Sequence, residues 1–302
     1  MKDKGSLFVE KYVNLMFSSF RKTTHEDTLK EIEVQRIENR KPVKVPRKFR
    51  NFFQEETFPS KNGFDMPVFT AKPTKNQTDN LVLYLHGGAF IYQPVFFHWR
   101  FIHSLVLKSH SQVVMPIYPK SPEYKCLFLM ETLLDFYQNY IQKLDYKRIT
   151  IIGDSAGACI GFSLAQEIHR LGLQKVDSII LISPCLDLTY SKEDEMKQYQ
   201  RHDHMIQLDR IETITSFWRG NVEAHNPLAS PIFGNMKDIG HISLFVGTHE
   251  ILLADARFLR DEMKRQGIPL FYREYSAMFH TFPLFPVPEG FMAMKEIVYL
   301  LK

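Results

Sequence analysis

At 302 residues, 44% hydrophobic and 24% charged, the chain has the composition of a folded globular protein, which excludes an intrinsically disordered one. A formal charge of +4 is too small a basic footprint to suggest a nucleic-acid partner. Three cysteines, Cys126, Cys159 and Cys185, stand far apart without a C-x-x-C pair; that argues against a disulfide framework or a structural zinc site and fits a reducing compartment.

Along the chain, residues 7–20 place Val9, Tyr12, Val13, Met16, Phe17 and Phe20 at helical spacing, an apolar stripe expected to pack on the protein's own body, with a membrane-surface role as the second reading. Glu10, Lys11 and Asn14 break the stretch, so it reads as neither signal peptide nor spanning helix. A cytoplasmic protein without stable membrane insertion is expected. From Arg36 to Arg50 seven Lys and Arg residues are interrupted by Pro42 and Pro46. Such a run is usually a solvated linker or helix face; docking of an anionic lipid or substrate is the weaker reading.

From about residue 51 strands and helices alternate. Leu81–Leu85, Val113–Tyr118, Ile149–Ile152, Ile179–Ile182 and Ile242–Val246 are short continuous apolar runs, the mark of strands buried on both faces. Helical segments separate them, notably Leu127–Leu144 and Ala156–Leu171. This order predicts an α/β fold with a mostly parallel central sheet and helices on both faces. Residues 188–235 lack strand character and read as an insertion into a core spanning 51–302. With residues 1–50 they are expected to form a helical cap over the sheet's carboxyl edge, where open α/β sheets bind ligands.

Between the Ile149–Ile152 strand and the following helix stands Gly153-Asp154-Ser155-Ala156-Gly157, which matches the G-x-S-x-G nucleophile elbow. The chemistry needs a serine on a strained strand-to-helix turn with small flanking residues, and the helix N-terminus favours negative charge building up there. His86-Gly87-Gly88-Ala89-Phe90 directly follows the Leu81–Leu85 strand, where esterases carry an H-G-G-G type oxyanion loop. The amides of Gly87, Gly88 and Ala156 are the expected donors to a tetrahedral oxyanion, each worth on the order of 3 kcal/mol. His86 is expected to brace the loop by hydrogen bonding.

An HGGAF loop about 70 residues before GDSAG resembles the hormone-sensitive-lipase family of α/β-hydrolases. The similarity extends from about residue 80 to the end of the chain. Tyr118 with Pro122-Glu123 is similar to that family's Y-R-L-A-P-E segment, Ser183-Pro184-Cys185-Leu186-Asp187 to its S-P-W-L-D segment, and Asn226–Pro231 to the stretch returning from cap to core. The resemblance implies an α/β-hydrolase fold with a helical cap, an esterase needing no metal or cofactor, and a preference for short acyl chains. Ala89 replaces the third glycine and Ala158 stands where the family usually has glycine.

The triad order Ser, acid, His places the base after Ser155. His280, in a loop after the strand-like Leu270–Tyr275, fits, and the family similarly has an H-x-F loop there. Its task is to take the Ser155 proton and return it to the leaving alkoxide. Asp187, Glu250 and Asp255 compete for the acid. Glu250 turns out of the carboxyl end of the Ile242–Val246 strand, thirty residues before His280, and Glu250-Ile251-Leu252 resembles the family's D-P-L triplet. Glu250 is preferred; Asp255 fits the start of a helix over 256–266, and Asp187 a supporting or capping position. His202 and His204 flank Asp203 without a further ligand cluster, so a metal is not expected.

These residues point to a serine carboxylesterase acting on a small-molecule ester through an acyl-enzyme intermediate. An amidase or acyltransferase would use the same residues, and a non-catalytic binding protein on this fold is the contrasting reading. The oligomeric state is left open, a homodimer included.

Overall fold

The computed structural model describes residues 24–302; the apolar stripe over 7–20 lies outside them. Eight strands form one sheet: β1 (Gln54–Pro59), β2 (Asp65–Ala71), β3 (Asn80–Leu85), β4 (Gln112–Pro116), β5 (Arg148–Asp154), β6 (Ser178–Ile182), β7 (His241–His249) and β8 (Leu270–Phe279). Their spatial order is β1-β2-β4-β3-β5-β6-β7-β8. β1 pairs antiparallel with β2 and β2 with β4, while every pair from β4–β3 to β7–β8 is parallel.

The helices are α1 (His25–Glu38), α2 (Phe96–Ser109), α3 (Cys126–Asn139), α4 (Ala156–Arg170), α5 (Glu193–Gln200), α6 (Leu208–Arg219), α7 (Leu253–Gln266) and α8 (Pro288–Leu300). The pleat of β3 explains how both faces are covered. Leu81, Leu83 and Leu85 enter one apolar cluster with residues of α3, α4 and α7, whereas Val82 and Tyr84 enter another with residues of α2 and α8. All six β3 residues are buried. That is why these strands read as unbroken apolar runs rather than alternating ones.

The helix predicted over 127–144 ends at Asn139 and continues as a 3-10 turn over Ile141–Lys143. The long connection from β6 to β7 holds α5 and α6. Helix α1 packs beside α6, and Ile32, Ile91 and Ile214 make a third small cluster between α1, the loop after β3 and α6. The contact also has a polar clasp. Arg210 Nη2 donates to Glu31 Oε2 at 2.6 Å and to the Tyr92 hydroxyl at 2.5 Å, and Tyr92 donates to Glu31. In the basic run, Arg36 and Arg40 both pair with Glu123, at 3.2 and 3.1 Å.

All three cysteines are buried and free. Burial pushes the Cys126 thiol up to about 12 and those of Cys159 and Cys185 well above their ordinary value.

Candidate active site

The loops that matter leave the carboxyl ends of neighbouring parallel strands, where α/β sheets place their sites. Asp154 is the last residue of β5 and Ala156 the first of α4, so Ser155 alone makes the turn, at φ +53° and ψ −121°. A non-glycine residue there is strained, at a cost of order 1–3 kcal/mol. The turn is tight enough to demand glycine on both flanks. A Cβ on Gly153 would lie 2.4 Å from the Gly157 carbonyl oxygen, and one on Gly157 only 2.0 Å from that of Leu85. The Ser155 amide donates to the Ile182 carbonyl of β6 at 2.9 Å, which pins the elbow to the next strand.

Asp154 ties the elbow to the loop after β3. Its Oδ1 accepts from the Tyr84 hydroxyl at 2.6 Å and from the Gly87 amide at 3.0 Å, and its Oδ2 lies 3.3 Å from His98 Nε2. Burial opposes its ionisation, but His98, Tyr84 and the Gly87 amide together hold the carboxyl below its ordinary range. This corrects one expectation. The Gly87 amide, assigned to an oxyanion, is turned to Asp154 instead. Gly88 and Ala89 line the neighbouring cavity, with Gly88 at φ +126° and Ala89 at φ +48°.

His86 braces the loop. Its Nδ1 lies 2.6 Å from the Gly87 carbonyl oxygen, and its ring stacks on Tyr118 at 4.5 Å. Burial, with Lys120 and His98 nearby, drives its pKa well below the usual value, so it stays neutral.

The β7–β8 register aligns His249 with Phe279, so the next residues, Glu250 and His280, emerge side by side. Glu250 Oε2 lies 2.7 Å from His280 Nδ1. The other oxygen, Oε1, accepts from the Gly247 amide at 2.7 Å and the Ser183 hydroxyl at 2.8 Å. The carboxylate is completely buried, and these donors supply the partners that a buried charge requires. Burial alone would lower the pKa of His280, yet Glu250, with Asp203 and Asp154 further off, raises it above the usual value.

The competing acids lie elsewhere. Asp255, in the first turn of α7, accepts from the amides of Leu186 at 2.7 Å and Asp187 at 3.2 Å, and burial pushes its carboxyl up to about 8. Asp187 closes its own turn through Thr189 and Ser191. Sequence reasoning gave no role to Asp203, whose carboxylate binds the Ile251 amide at 2.8 Å. Only its position between two histidines had drawn notice.

Ser155 and His280 line one cavity of about 850 Å³. Its walls come from α1, the Pro42–Lys44 stretch, the loop after β3, α6 with the residues before it, and Leu284–Phe285. Of the aromatics in and after the His86–Phe90 loop, Tyr92 and Phe97 line the cavity. Phe90 stacks on Trp218 at 3.9 Å, and Trp99 packs in the core against Phe53 and Phe69. Among the described residues no group of three or more His, Cys, Asp or Glu is placed to hold a metal ion, and no helix is long and apolar enough to cross a membrane.

Known proteins resemble this chain. A family model described as an alpha/beta hydrolase fold matches residues 82–284. An esterase of Acinetobacter venetianus is 27% identical over 72% of this chain and 73% of its own length, and an acetyl-hydrolase of Streptomyces hygroscopicus 26% identical over 72% and 74%. Among solved structures, a Staphylococcus aureus protein assigned as an esterase superposes with a TM-score of 0.84 at 25% identity, covering 92% of this chain and 93% of that one. An esterase from the bacterial hormone-sensitive lipase family superposes at 0.81 and 21% identity, covering 100% and 98%. The chain belongs to the α/β-hydrolase fold family, as a serine hydrolase similar to known esterases.

Proposed function

We propose that this protein hydrolyses small carboxylic esters with short acyl chains, using Ser155 as nucleophile, His280 as base and Glu250 as the acid that orients it. The observation that carries the reading is the 2.7 Å contact from Glu250 to His280 Nδ1, in a protein whose His280 and strained Ser155 open onto one cavity. With Nδ1 occupied, the remaining nitrogen, Nε2, serves as proton acceptor. His280 takes the Ser155 proton as Oγ attacks the ester carbonyl, and returns it to the departing alkoxide. Water then attacks the acyl-enzyme with His280 again as base, releasing the acid and restoring Ser155. The tetrahedral oxyanion is held by the amides of Gly88 and Ala156, with Ala89 taking the place first given to Gly87. Helix α1 and the 188–235 segment act as the cap that closes the cavity. The short acyl chain is taken from the Streptomyces relative, an acetyl-hydrolase.

Ser155→Ala is expected to lower kcat/KM for p-nitrophenyl butyrate by on the order of 10⁴-fold or more, with an unchanged melting temperature. A fluorophosphonate probe should label the parent protein and not the variant. Undiminished hydrolysis by Ser155→Ala would overturn the proposal.

A further inference from the structure

The segment between α5 and α6 carries a buried carboxylate that the mechanism above leaves unused. Asp203 is 5% exposed, and its two oxygens accept three backbone N–H groups. Oδ1 takes those of Met205 at 2.8 Å and Ile206 at 2.9 Å. Oδ2 reaches a residue 48 positions away, the amide of Ile251 at 2.8 Å. Met205 and Ile206 line the cavity, and Ile251 follows Glu250 directly. One residue earlier, the His202 ring stacks on that of His249 at 4.7 Å and 16°. Two successive residues of this segment are thus fastened to the residues on either side of Glu250.

The attachment depends on what this chain has at position 251. The D-P-L triplet that Glu250-Ile251-Leu252 resembles would put proline there, and proline has no N–H to donate. Ile251 supplies that donor. The charge matters as well as the bond. Three carboxylates act on His280: Glu250 in direct contact from the turn after β7, and, through their charge, Asp203 from the segment before α6 and Asp154 from the end of β5. Burial pushes the Asp203 carboxyl up to about 6, so it is ionised at and above neutrality.

We infer that Asp203 is a positioning residue, which clasps the Met205–Ile206 wall of the cavity to the turn bearing Glu250 and sets a second negative charge beside His280. The inference rests on the esterase reading above.

Two variants separate its parts. Asp203→Asn removes the charge and, because its NH2 cannot accept an N–H, one side of the clasp as well; the acid limb of its kcat/KM–pH profile should move to lower pH by about half a unit, because the imidazolium loses an anion. Ile251→Pro keeps the charge and removes the donor. Its acid limb should stay in place, while KM for p-nitrophenyl esters with acyl chains long enough to reach Met205 and Ile206 rises about threefold, a shift that converts to under 1 kcal/mol. An acid limb unmoved in Asp203→Asn, together with unchanged KM values in Ile251→Pro, would overturn the inference. Should Asp203→Asn fail to fold, unchanged KM values in Ile251→Pro overturn it and a raised KM supports it. Failure of the esterase reading is told apart by the parent protein, which would then show no Ser155-dependent turnover at any pH.

Discussion

His280 sits under opposed influences. Burial favours the neutral ring, and the nearby carboxylates favour the cation; the carboxylates prevail, so its pKa lies above the ordinary value of about 6.5. In the proposed mechanism His280 must be neutral to accept the Ser155 proton. Activity is therefore low below this raised pKa and grows as pH climbs through it, which sets the acid limb of kcat/KM above about pH 6.5. Glu250→Gln removes the nearest anion. Its acid limb should move to lower pH, and kcat should fall on the order of 10³–10⁴-fold, since an amide no longer holds the tautomer that leaves Nε2 free. Profiles of p-nitrophenyl acetate hydrolysis from pH 5 to 9 check both effects.

At the scale of elements, the elbow is a junction of three backbones. Adding one methyl group at Gly157 would drive a carbon into the carbonyl oxygens of Leu85, at 2.0 Å, and His86, at 2.6 Å, both at the end of β3. Neither strand can retreat, because β3 and β5 are paired from Asn80–Arg148 to Leu85–Gly153. Gly157→Ala is expected to cost about 3 kcal/mol or more, read as a lowered midpoint in urea unfolding. Much of this level was legible in the sequence. The central strands declare themselves because both their faces are buried, and Ser155 and Glu250 stand just past two of them, whereas His280 follows the half-buried edge strand β8. The β1–β2 hairpin did not. Only Phe58 of β1 is buried, so the strand has no apolar run to recognise. The orientation of the Gly87 amide was equally out of reach, since its acceptor, Asp154, is 67 residues away and a motif records no direction. Asp203 belongs to no motif, and its partner is a backbone amide that any residue except proline would supply.

Across the whole molecule, the cavity is assembled from parts distant in the chain, and α1 contributes a wall without belonging to the sheet. The Glu31–Arg210–Tyr92 clasp holds it to α6, with side chains only 20% and 12% exposed for Glu31 and Arg210. Glu31→Gln leaves Arg210 with a weaker partner in a half-dry setting, at an expected cost of about 1–3 kcal/mol. A lowered melting temperature with a raised KM would show that the wall and the cavity are coupled. The buried thiols have a consequence of another kind. With Cys126, Cys159 and Cys185 all buried and held protonated, thiol-directed electrophiles and mild oxidants meet no ready thiol on this protein. With Ser155 as the proposed nucleophile, acylating inhibitors meet a hard oxygen, so selectivity among them falls to the shape of the cavity around Ser155 and hardly at all to the redox state of the cysteines.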